Sequence, residues 1–228
     1  MSLPLVIAAV SLVSASPVLA QANALGTVLA AAKALGPQGF ERTTTRSDTR
    51  NGGTKTIEVD RFDPSLAAGK QWTLLSVNGK APTPDQVSEH QKTVAGTPIP
   101  GYYRIAAMLA GPDPAVTQQG GDSIFTWKRL PPGSLPMKGM DLTADLAVSA
   151  TVSAVGGTPM VTQMRVAAPK PFRVMMLAKI NSMTVTSDYV RLANGQPFLS
   201  RQVTEQAASI PMKGQGTVRS EMVFKPLT

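Results

Sequence analysis

The sequence predicts a mainly β, α+β domain: an open antiparallel half-barrel of about ten strands, with short helices plugging or capping its concave side. Three observations carry that expectation. Beyond residue 40 the apolar side chains alternate with polar ones in short stretches, the period of a strand and not of a helix. Turn signals separate the stretches at Asn51-Gly52-Gly53, Asn78-Gly79, Gly156-Gly157 and Asn194-Gly195, the residue types that tight hairpins require. Such short-range hairpins favour an antiparallel meander over a parallel α/β sheet, and so many strands in a meander curl instead of lying flat.

The first twenty residues read as a signal peptide. They contain no charged side chain, and residues 3–13 form an apolar run too short to span a bilayer. Ser14-Ala15-Ser16-Pro17 then breaks the run, and Val18-Leu19-Ala20 offers small residues for cleavage before Gln21. No Lys or Arg precedes the apolar run, so either the true start lies upstream or the terminal amine supplies the only charge there. A buried N-terminal helix is the alternative. On the export reading, residues 21–228 form one soluble periplasmic domain.

Residues 22–35 read as a small-residue helix ended by Gly36-Pro37. Strands follow at 40–48, 54–62 and 71–77. Thr83-Pro84-Asp85-Gln86 opens a helix with a capping box and Pro at its first position, running to about residue 94 and carrying His90. Residues 102–109 read as a short apolar helix stopped by Gly111-Pro112. Further strands are expected at 122–130, 146–155, 160–167, 172–181, 183–192, 197–206 and 217–225.

Composition excludes several function classes. The chain has 228 residues, 43% of them hydrophobic, no Cys, one His and a formal charge of +8. Without Cys there is no disulfide scaffold, thiolate zinc site, iron–sulfur site, cysteine nucleophile or lipobox-type lipid anchor. A single His removes two-histidine metal sites, so no metal and no cofactor is expected. No G-x-S-x-G, S-x-x-K, H-E-x-x-H or P-loop motif occurs. Gly214-Gln215-Gly216 lacks the third glycine of a dinucleotide fingerprint, where Arg219 stands. His90 is expected on the solvated face of its helix, and Glu58 and Asp60 on a solvated strand face, so no catalytic residue is assigned and a non-enzyme is expected.

Two positive features remain. Nine of the eleven Met lie between residues 137 and 222, where flexible thioethers could line a wall for long apolar guests or simply fill a core. Residues 21–127 carry ten basic and nine acidic side chains, whereas residues 128–228 carry twelve and five, so the positive charge accompanies the methionines. The ligand-binding candidates are Trp127, Met160, Met164, Met176 and Met222 on the apolar face, with Arg165, Arg173 and Lys179 as a basic rim for an anionic headgroup. Solubility charge on an outer face is the alternative. Nucleic acid is disfavoured, because only 5% of the chain is aromatic.

The stretches QWTLLSVNGKAPTPDQ at 71–86 and MVTQMRVAAPKPFRVMMLAKI at 160–180 resemble the periplasmic outer-membrane lipoprotein-sorting-like proteins, the LolA/LolB-like half-barrel superfamily. The resemblance covers roughly residues 40–225 as a pattern of strands and turns. It implies a half-barrel whose apolar concave side holds acyl chains, with the helices at 84–94 and 102–110 as plug or lid. It implies a role in transport or trafficking of envelope lipids or lipoproteins, and a soluble, unlipidated monomer in place of an anchored receptor. The expected partners are lipid or lipoprotein acyl chains, with an envelope protein as the alternative for a sensor or interaction module on the same fold.

Overall fold

The computed structural model describes residues 17–49, 53–137, 140–174, 178–210 and 214–227, without the side chains of 17–22 and 136–140. Its elements are α1 (Pro17–Ala34), β1 (Phe40–Asp48), β2 (Thr54–Phe62), β3 (Trp72–Val77), α2 (Pro84–Ala95), a 3-10 turn (Tyr102–Arg104) leading into α3 (Ile105–Met108), β4 (Ala115–Gln119) and β5 (Asp122–Trp127). There follow β6 (Pro136–Met137), β7 (Met140–Asp141), a 3-10 turn (Thr143–Asp145), β8 (Ala147–Val155), β9 (Thr158–Ala167), β10 (Phe172–Val174), β11 (Ala178–Arg191), β12 (Pro197–Ile210) and β13 (Gly214–Pro226).

Eleven strands form one sheet in the order β3-β2-β1-β13-β12-β11-β9-β8-β5-β4, with β10 paired to β11, while β6 and β7 pair separately. Every pairing in it is antiparallel. The sheet stays open, with β3 and β4 as its edges. This is the expected half-barrel.

Local sequence explains most boundaries. Asn78 and Gly79 take φ of 51° and 75°, the left-handed pair of a type I′ turn. Asn78 also prolongs the β2 ladder: its Oδ1 accepts the Ile57 N–H at 2.8 Å and its own N–H donates to Ile57 O at 2.7 Å. Thr83 accepts the Gln86 N–H and Gln86 answers on the Thr83 N–H, the capping box that starts α2. Several details differ from expectation. Helix α1 starts at Pro17 and not at residue 22, so it runs through the expected cleavage position, and β6 and β7 were not expected. The strand β4 went unforeseen in the polar run AVTQQ. The stretch 102–109 divides into a 3-10 turn and one α-turn. Residues 178–191 run as one strand where two were expected, at 172–181 and 183–192, and a bulge between Ile180 and Ser182 lies at the expected break.

Register defines two ends of the sheet. Trp127 pairs Val148, Ala147 pairs Ala167, and Ala167 pairs Thr184, so these residues share one end with Arg173 and Lys179 on the β10–β11 hairpin. Phe40 pairs Phe62 and Pro226 at the opposite end. The core lies on the inner face, where α1, Tyr102–Arg104 and α3 pack on one another and α1 reaches β9. Val28, Ala32, Tyr102, Ile105, Met108 and Leu109 bury themselves against Phe125, Trp127, Val148, Ala150, Met164 and Val166.

Candidate functional site

The apolar trough expected from the methionines exists, and the chain's own segments fill it. Met160 and Met164 are 2% and 5% exposed, sealed into the core shared with α1 and residues 102–109. Met222 is half-buried beside that core, on the same face as Phe224. Met176 lies outside the described residues. The plug also differs from expectation: α1 and residues 102–109 cover the trough, whereas α2 packs on β3 at the far end of the sheet.

The plug is fastened by Tyr102. Its ring stands perpendicular to that of Tyr189 at 5.3 Å, and its hydroxyl oxygen accepts the Val161 N–H at 2.9 Å. Burial raises the ionisation range of both phenols above the ordinary one. Arg104 adds a hydrogen bond of 2.9 Å to the Ser134 carbonyl.

Trp127, 3% exposed, sits where this core meets a groove of about 880 Å³. Its indole N–H donates to the Gly111 carbonyl at 2.9 Å. Around it the groove is walled by Pro112, Pro114, Leu130 and Pro131, with Lys128, Arg129, Asp113 and Asp141 as its charged lining. The Asp141 carboxylate accepts from the Gly133 N–H and from the N–H and hydroxyl of Thr143; the Thr143 hydroxyl is the chief cause that holds its pKa below the usual range. Lys128 and Arg129 directly follow Trp127 and were not among the expected rim cations.

The three rim cations divide. Arg173 and Lys179 are exposed cross-strand neighbours at the Trp127 end, backed by the buried pair Phe172 and Ile180. Arg165 instead projects from the outer face between Ser149 and Thr186, opposite the buried Met164. The outer face of β12 and β13 is not a free basic surface either. Arg201 bridges Asp188 and Glu221, and Arg219 bridges Glu205 and Glu221.

The largest correction concerns His90 and Asp60. Neither is solvated: Asp60 is 3% and His90 9% exposed. Asp60 Oδ2 accepts the His90 Nε2–H at 2.8 Å, and its Oδ1 accepts the Arg42 Nε–H at 3.0 Å. The Arg42 guanidinium lies 4.8 Å from the centre of the Trp72 ring, which packs in turn on Phe40 and Phe62. A carboxylate can only accept, so Nε2 carries a proton in this bond, while Nδ1 has no partner among the described residues. Among the described residues, no hydroxyl bonds either ring nitrogen. The arrangement acts as a clamp, holding α2 against β1–β3. A pattern did mark it: Asp60 is two residues from Phe62 on one strand face, and His90 is four from Val94 on one helix face.

Among the described residues, no group of three or more His, Asp or Glu side chains could hold a metal ion. No protein-family model and no curated protein matches this sequence.

Proposed function

We propose that the protein is a soluble, non-catalytic periplasmic binding protein that shelters a lipid or lipoprotein acyl group in its half-barrel, serving envelope lipid or lipoprotein trafficking. The observation that carries this reading is the cover of the trough: helical segments lie over it in place of a second sheet. Such a plug can lift without breaking any strand pairing. An acyl chain entering past Trp127 would replace the plug's side chains against the same wall, gaining about 0.8 kcal/mol per buried methylene. Met164 and Met160 would adapt to its shape. Arg173 and Lys179 would meet an anionic headgroup at that end. The resemblance of residues 71–86 and 160–180 to lipoprotein-sorting-like proteins supports the same reading.

Trp127 gives the test. In a Trp72→Phe variant, the remaining indole reports on the groove alone. Titration with a fatty acid brominated along its chain should quench that fluorescence saturably at one equivalent. An unquenched indole, together with native mass spectra of protein free of co-purified lipid, would overturn the proposal. The second reading, an envelope sensor or protein-interaction module, is favoured by the state of one sheet edge.

A further inference from the structure

The two edges of the sheet are not alike. At β3 the edge is blunted: Gln91 of α2 donates to the Trp72 carbonyl at 2.9 Å, and Val77 exchanges backbone bonds with Lys80. At β4 none of the described residues covers the edge. Its five residues, AVTQQ, are all exposed, carry no charge and include no Pro, the devices by which edge strands are normally protected. Among the described strands it pairs with β5 alone.

Hairpin geometry identifies the free backbone groups. Gln119 and Asp122 flank the two-residue turn Gly120-Gly121, where Gly120 takes a φ of 62°. In such a hairpin the flanking pair exchanges both backbone bonds, and every second pair does the same. Thr117 with Ile124 and Ala115 with Thr126 therefore bond inward. Val116 and Gln118 aim their N–H and C=O groups out from the sheet, and no backbone bond from another described residue reaches them.

We propose that β4 is a docking edge for an extended segment of a partner protein, which adds antiparallel to it and carries acidic residues beyond its paired stretch. Antiparallel addition continues the pattern of the sheet and makes four backbone bonds to Val116 and Gln118. A segment in that direction passes Ala115 and arrives at the Trp127 groove, which offers room for an apolar side chain. There it meets Lys128 and Arg129, exposed and without an ion-pair partner among the described residues; of the two carboxylates in the same lining, Asp141 is taken up by Gly133 and Thr143 and Asp113 alone opposes acid, while Asp122 at the turn disfavours acid at the other end. A second copy is the poorer occupant. Five residues fall well short of the ~800 Å² per partner of a stable interface, and each copy carries a formal charge of +8. The proposal stands whether or not the interior takes an acyl chain.

The probe is a fluorescein-labelled peptide, TVTVTLEE, compared by anisotropy with TVTVTLKK and with a TVTVTLEE whose alternate amides are N-methylated on the bonding edge. Saturable binding of the first is expected, with about tenfold weaker binding of both controls. Val116→Pro removes an outward N–H and spares the bonds to β5, so it should weaken TVTVTLEE about tenfold at unchanged melting temperature. The N-methylated peptide on the unaltered protein makes the same test should that variant misfold. Reversing Lys128 and Arg129 to Glu should exchange the preference between the two peptides. Equal binding of all three peptides, no saturable binding of TVTVTLEE, or a dimer in sedimentation that Val116→Pro abolishes would each overturn the proposal.

Discussion

Replacing Asp60 by Ala strips Arg42 and His90 of their shared acceptor and leaves a largely buried guanidinium without its counter-charge. Loss of one partner from a buried ion pair costs about 3–5 kcal/mol, so Asp60→Ala should lower stability by that amount. His90→Ala leaves the Arg42–Asp60 pair intact and should cost about 1–3 kcal/mol. Urea midpoints at constant slope check both values, and equal losses would mean that the three residues do not share the load in this way. The same residues show what could be read from sequence. Phe125 and Trp127 were legible as one buried face because both are apolar and two apart. The clamp was marked only by position, Asp60 and His90 each lying on an apolar face, and such a mark becomes informative only when the partner, here thirty positions away, is known.

Among elements, those governed by local chemistry were legible. The strands β1 and β2 begin and end where alternation and turn residues say they should, and α2 starts on its capping box. Thr83→Ala removes the oxygen that accepts the Gln86 N–H and should cost about 1 kcal/mol. Because α2 is held to the sheet mainly by His90, Gln91 and Val94, the loss should appear first as faster hydrogen exchange across residues 84–95, with β8 and β9 unchanged. Elements decided by tertiary context were missed. The strand β4 has no apolar pattern to announce it, and only pairing with β5 makes it a strand. Helix α1 was legible as a helix, but its place over the trough depends on where β9 lies.

At the scale of the molecule, the plug and the sheet are coupled through two tyrosines. Their folded ionisation range is raised by burial, whereas an unfolded tyrosine titrates near 10. Below about pH 10 both states are neutral and the contact contributes in full; above it the unfolded chain ionises first, and stability falls as pH rises. Urea midpoints from pH 8 to 11 should therefore decline at the alkaline end, and Tyr102→Phe and Tyr189→Phe should each flatten the decline. Parallel declines in all three proteins would contradict the assignment.

The strand order has a temporal consequence. Residues 40–48 find one of their two neighbours in residues 218–226, so the first strand of the sheet waits for the last. Until β13 is made, β1 and β12 both stand with an unpaired side, and the two arms of the sheet have nothing to join them. Contacts so remote along the chain make folding slow, on the order of milliseconds to seconds. The sheet therefore cannot be completed until residues 214–226 have been synthesised.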